Sequence, residues 1–101
     1  MKKIIISLKK EAEYYEKYVK KQMGNKEFRE AYEAEELRSI FAEELMGARI
    51  RKHLTQQELA KIVKMPQQEI SRIEKGEQNI TTDMLGRLIA GMQAKIRIHI
   101  G

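Results

Sequence analysis

The stretch from Leu54 to Gly76 leaves the backbone very little choice. Thr55 is a good helix N-cap, and Glu58 three residues on completes a capping box, in which each side chain bonds the other residue's backbone N–H. Leu54 and Leu59 stand at the two positions that close a hydrophobic staple across that start. Leu59, Ala60 and Val63 then line one short face, with Ala60 small enough to admit another helix closely. Pro66, the lone proline, biases Met65 away from helical geometry, so the helix stops near Lys64. The same proline suits the opening of a new helix, where the missing N–H costs little. That helix runs from Gln67 to Lys75 with Ile70 and Ile73 turned inward, and Gly76 is suited to the left-handed residue that ends it. Two short helices are therefore set end to end with a tight turn between them.

Such a pair is a helix-turn-helix, and its second helix turns Gln67, Gln68, Glu69, Ser71 and Arg72 outward. Glutamine can bond adenine through two hydrogen bonds and arginine can do the same to guanine, both in the major groove. The charge agrees. The 101 residues carry +5 with a pI near 9.5, which suits a polyanionic partner. The excess is unevenly spread: residues 1–25 hold seven Lys against three Glu, 26–48 three basic residues against seven Glu, and 49–101 ten basic against five acidic. Arg51, Lys52 and Lys75 lie in that last, most basic part and are candidates for phosphate contact, together with Gln57. Read as plain surface, Arg49, Arg51, Lys52 and Lys75 are solvated cations, and Arg51, Lys52 and His53 also complement the dipole at a helix end.

The run Leu54-Thr55-Gln56, Glu58-Leu59-Ala60, Gln67-Gln68, Ile70-Ser71-Arg72-Ile73-Glu74 and Gly76 resembles the Cro/cI-type, or XRE, helix-turn-helix family over roughly residues 43–93. The resemblance implies a compact λ-repressor-like helical bundle, with a first helix around Glu43 to Lys52 and more helices after Thr81. It implies that Gln56 braces the recognition helix and touches a phosphate, that Gln67, Gln68 and Arg72 read bases, and that Asn79 lies in a phosphate-contacting loop. Two positions depart from the pattern. Lys64 stands where the family usually has glycine, so it either turns left-handed or reshapes the turn. Gly86 and Gly91 fall inside the later helix, each at a cost of about 1 kcal/mol against alanine.

Upstream, Leu8, Ala12, Tyr15, Val19 and Met23 recur at three- and four-residue steps, predicting a helix that ends at Gly24-Asn25. Lys3 to Ser7 reads as a short strand before it. Phe28 and Tyr32 form one helical stripe and Leu37, Phe41, Leu45 and Ala48 another, out of phase with the first. This predicts a kink or break near Ala34 to Glu36, with one long curved helix as the alternative. Tyr14, Tyr15 and Tyr18 are either packing or a partner-facing surface, and Glu27, Glu30 and Glu33 are either a solvated face or steering charges for a basic partner.

Downstream, Thr81 or Thr82 caps a helix with Leu85, Leu88, Ile89 and Met92 on its buried stripe. Ile96, Ile98 and Ile100 then alternate with Lys95, Arg97 and His99, the period of a strand, read as the dimerisation element of a homodimer. The arrangement Glu27-Phe28-Arg29, Tyr32, Leu45, Ala48-Arg49, Leu54-Thr55-Gln56, ending in Lys95-Ile96-Arg97-Ile98, resembles HigA-type antitoxins. That resemblance implies a RelE/HigB-like toxin as partner.

Other chemistries find no residues to work with. There is no cysteine, no glycine-rich phosphate loop, and no nucleophile–base pair among Ser7, Ser39 and Ser71. His53 and His99 join no ligand constellation, so neither catalysis, a metal nor a cofactor is expected. The apolar run Ile4 to Ile6 is too short for a secretion signal and no stretch is long enough to span a membrane, so a soluble cytoplasmic chain is expected. The fold expected is all-α, a helix-turn-helix bundle with extra amino-terminal helices and one carboxy-terminal β-strand. Its parts are a helical extension over residues 1–36, a DNA-binding domain over 37–93 and a strand over 94–101. The function expected is repression at a palindromic DNA operator by the antitoxin of a toxin–antitoxin module that regulates its own operon; the alternatives are a stand-alone or phage-type repressor without a toxin partner, and a toxin-sequestering protein with little DNA binding.

Overall fold

A computed structural model describes residues 2–101, with side chains from Ser7 onward. Five helices follow in order: α1 (Lys2–Gln22), α2 (Lys26–Arg51), α3 (Gln56–Val63), α4 (Gln67–Glu74) and α5 (Thr82–Gly91). Contacts divide the chain into two units, residues up to Ala34 and Glu35–Gly101.

In the first unit the backbone of residues 3–7 is helical, not a strand. A strand there needs a partner for its ladder, and the helix satisfies the same groups internally. The side chains of Ile4 to Ile6 lie outside the described residues. Asn25 caps α2 by accepting from the Phe28 N–H at 3.1 Å, and Phe28 packs edge-on to Tyr18 and stacked on Tyr32.

The break expected near Ala34 to Glu36 is not there. α2 is continuous across it, because the run is made of good helix formers, Glu, Ala, Leu and Arg. The phase shift has another cause: Phe28 and Tyr32 serve the first unit, while Ala42 and Leu45 are buried in the second. The first helix of the bundle is accordingly the second half of α2. Leu37, expected on its buried stripe, is exposed.

In the second unit α3 packs against both α4 and α5. Leu45, Leu59, Ala60, Val63, Met65, Ile70, Ile73, Leu88 and Met92 form its core, each large side chain contributing about 1.5–3 kcal/mol of burial. α2 to α5 end alike. His53, Lys64, Gly76 and Gln93 all take positive φ, and in each case the following N–H reaches back five residues: Leu54 to Arg49 O, Met65 to Ala60 O, Glu77 to Arg72 O, and Ala94 to Ile89 O, at 3.0–3.1 Å. Three of these four are not glycine. Left-handed geometry costs such a residue about 1–2 kcal/mol, but Met65 is buried just after Lys64, and Leu54 and Ala94 pack on the core just after His53 and Gln93. That burial offsets the strain.

Among the described residues there is no strand, and Ile96, Ile98 and Ile100 lie in an irregular carboxy-terminal segment with exposed side chains. Alternation alone does not make a strand. It needs a neighbouring extended segment to take its N–H and C=O groups, and the nearest candidate, residues 3–7, is helical.

The two α5 glycines differ in kind. A Cβ on Gly86 would meet nothing, whereas one on Gly91 would collide with the Val63 side chain and press within 3.3 Å of Ile62 Cγ2. Gly86→Ala should therefore stabilise the protein by about 0.5–1 kcal/mol, and Gly91→Ala should destabilise it by about 1–3 kcal/mol. Urea unfolding of the two variants beside the parent checks both signs.

Candidate nucleic-acid interface

α3 begins as its sequence demands. Thr55 Oγ1 accepts from the Glu58 N–H at 3.0 Å and Glu58 Oε1 accepts from the Thr55 N–H at 3.1 Å. These bonds hold the Glu58 carboxyl below the usual carboxylate range. At the other end Lys64 takes φ 56° and ψ 48°, so the turn keeps its shape without glycine. Arg87 of α5 donates to Val63 O at 2.5 Å and to Lys64 O at 3.2 Å, meeting carbonyls that the helix end leaves unpaired.

α4 is held from inside. Ile70 and Ile73 are 1% exposed, and one turn on from Ile70 comes Glu74, whose side chain is 5% exposed. Its carboxylate accepts from Arg49 Nε at 2.7 Å and Arg49 Nη2 at 2.9 Å, and from Gln56 Nε2 at 3.1 Å. Arg49 Nη1 also donates to Leu54 O at 2.7 Å. The hydrogen bond to Glu74 raises the Arg49 pKa above its ordinary value. One carboxylate thus fastens α4 to the end of α2 and the start of α3, and Arg49 is a part-buried clamp instead of a solvated cation. Among the described residues no buried side-chain polar atom lacks a hydrogen bond.

What remains on the outside of α4 is Gln67, Gln68 and Arg72, all exposed, with Ser71 and Glu69 half-buried. Glu69 Oε1 accepts from Gln78 Nε2 at 2.9 Å, so the loop after α4 orients that carboxylate. Lys75 is exposed at the end of α4 and Asn79 in the following loop, and Gln57 is exposed on α3. Gln56 is half-buried by its bond to Glu74. Arg51 and Lys52 are placed elsewhere: Arg51 lines a groove with the end of α5, and Lys52 Nζ donates to Gln93 O at 3.4 Å. Tyr14, Tyr15 and Tyr18 are exposed on α1, and Glu27, Glu30 and Glu33 at the start of α2, where Glu30 pairs with Lys26 at 3.8 Å. Among the described residues no three His, Asp or Glu side chains converge as a metal site would require.

The sequence profile of the helix-turn-helix family matches residues 45–97, slightly more than half of the chain. The chain belongs to the helix-turn-helix family. The match is to its XRE type, whose members are DNA-binding transcription regulators and generally not enzymes. It covers α3, α4 and α5 entire, with the last turns of α2 and part of the carboxy-terminal segment. It carries nothing about a toxin. No curated protein and no solved structure matches. Among the described residues no helix is long and apolar enough to cross a membrane.

Four positioning residues of this helix-turn-helix escaped the sequence: Arg49 as an ion-pair partner, Glu74, Gln78 and Arg87. For Glu74 a signal existed. It lies four residues after Ile70 on the inward side of α4, where a carboxylate requires a buried donor. Glu74→Ala strips that donor set of its acceptor and leaves the Arg49 charge buried and unpaired. It should destabilise the domain by about 3–5 kcal/mol, against less than about 0.5 kcal/mol for exposed Glu77→Ala, as read from chemical unfolding.

Proposed function

We propose that this chain is a sequence-specific transcriptional repressor that binds a palindromic operator as a homodimer, with α4 of each copy in adjacent major grooves. One observation carries the reading. The inward positions of α4 are committed to the core and to Arg49 and Gln56, and this leaves Gln67, Gln68 and Arg72 on a rigidly mounted outer face. A side chain reads a base only if its helix is held in register with the groove. Gln67 and Gln68 suit adenine and Arg72 suits guanine; Glu69, with one oxygen taken by Gln78, has the other to accept from cytosine N4. Ser71 is a further base contact, and Gln56, Gln57, Lys75 and Asn79 serve the phosphates that fix the docking. The half-sites lie about 34 Å apart, one helical turn of DNA.

Arg72→Ala should cost about 1–3 kcal/mol on the preferred site and relax selection at one base pair. Lys75→Ala should weaken all sequences alike and reduce the salt slope by about one unit. Binding to a randomised DNA pool, followed by titration at several salt concentrations, separates the two. Equal, sequence-independent losses from Arg72→Ala and Gln68→Ala would mean that α4 does not read bases.

A second reading adds a toxin partner, making the chain an antitoxin that represses its own operon. It is favoured by the surface of α1, where Tyr14 and Tyr15 are 74% and 64% exposed; exposed tyrosines are frequent anchors of protein interfaces. Glu27, Glu30 and Glu33 would steer a basic toxin of the RelE/HigB kind to that surface. A RelE-fold endonuclease encoded beside the gene should be inhibited by the wild-type chain. It should be inhibited more weakly by the Tyr14→Ala/Tyr15→Ala variant, with operator binding unchanged. Equal inhibition by both places any toxin contact elsewhere.

A further inference from the structure

Most of α1 has nothing packed on it. Every side chain from Ser7 to Tyr18 is exposed, and only Val19 and Gln22, in the last turn, are half-buried. At 3.6 residues per turn the two sides of this helix differ in kind. Lys9, Lys10, Lys17, Lys20 and Lys21 fall within about a third of the circumference, with Glu13 as the one acidic residue among them. Leu8, Ala12, Tyr15 and Val19 take the opposite side, bordered by Glu11 and Glu16. Among the described residues none of these five lysines belongs to an ion pair.

From Lys9 to Lys21 this row of unpaired cations runs about 18 Å along the helix. Over that length duplex DNA carries about ten negative charges, so each ammonium group has a phosphate to meet. An anionic lipid surface fits worse. A helix lying on a membrane sinks its apolar side to headgroup depth, which here would set Glu11 and Glu16 against the anionic lipid that the lysines require. We propose that the lysine side of α1 is a second nucleic-acid contact, which binds phosphates of duplex DNA beyond those used by the helix-turn-helix and reads no bases. The residue type agrees: α1 holds no arginine, and lysine meets phosphate as a point charge, without the two-pronged fork that selects guanine. The proposal rests on the reading of α4 as the DNA-docking helix. A weak electrostatic contact in the same chain then acts at the high effective concentration that this docking supplies.

The test titrates the full chain against random-sequence duplex of about three helical turns, at salt from about 50 to 200 mM. Circular dichroism melts show that each variant is folded; glutamine is nearly as good a helix former as lysine. Lys10→Gln/Lys17→Gln/Lys21→Gln should bind at least about tenfold more weakly than the wild type at the low-salt end, with a salt slope smaller by about two to three units. Lys10→Arg/Lys17→Arg/Lys21→Arg should keep both the affinity and the slope. Glu13→Gln should bind more tightly than the wild type, a gain that a damaged fold cannot produce. On a site selected from a randomised pool, the triple glutamine variant should keep the wild-type base preference. Arg72→Ala should lose that preference and still respond to the three glutamine substitutions, so a failure of base reading and a failure of this contact are told apart. An unchanged affinity and salt slope in the triple glutamine variant would overturn the proposal. So would tighter binding of the wild type to phosphatidylserine vesicles, or to single-stranded RNA, than to the duplex.

Discussion

The Arg49 guanidinium sits where the end of α2, the turn before α3 and the end of α4 converge, and the docking of α4 hangs on it. Its planar fork meets both oxygens of Glu74, and its remaining nitrogen takes Leu54 O. A lysine could supply the charge but not this geometry. With the two side chains only 11% and 5% exposed, the pair is shielded from salt far better than a surface bridge. Both charges have been taken out of water, so the arrangement adds little net stability compared with apolar packing of the same volume. What it adds is position. Isoleucines at two inward sites allow α4 to roll or slide slightly on α3, whereas a two-pronged ion pair with Gln56 on the same carboxylate has one good geometry.

That fixed mounting explains how a helix of eight residues can present a defined surface. Isolated helices of this length do not persist in water. α4 persists because Ile70 and Ile73 are sealed in the core, because Pro66 opens it with a pre-set backbone angle, and because Gly76 ends it with a paired turn. Arg87 of α5 braces the turn between α3 and α4 through the Val63 and Lys64 carbonyls. Gln67, Gln68 and Arg72, exposed on the outer side, are therefore available for chemistry.

Much of the scaffold was legible beforehand because its signals are local. Thr55 and Glu58 are three residues apart, Pro66 acts on Met65 beside it, and Gly76 closes the turn in which it stands. The inward Ile70 and Ile73 and the outward Gln67, Gln68 and Arg72 follow from helical periodicity alone. The candidate site was legible to the same depth, namely which residues face out. Its mounting was not, since Arg49 and Glu74 are 25 residues apart and no periodicity links them. Lys64 shows the limit from another side: its type argues against a left-handed backbone, and only the burial of Met65 beside it makes that conformation worthwhile.

The sequence by itself determined where α3 and α4 begin and end, near which residue α5 starts, and which sides these helices bury. These are properties of a few neighbouring residues, set by hydrogen bonds and steric limits within one or two turns. Tertiary structure decided the rest. It gave the two out-of-phase stripes of the continuous α2 to different units. It left the alternating Ile96, Ile98 and Ile100 without a strand, because a strand exists only beside another. It also turned Arg49 from a surface cation into the clamp of α4, because a charge is buried only where the fold brings its counter-charge to meet it.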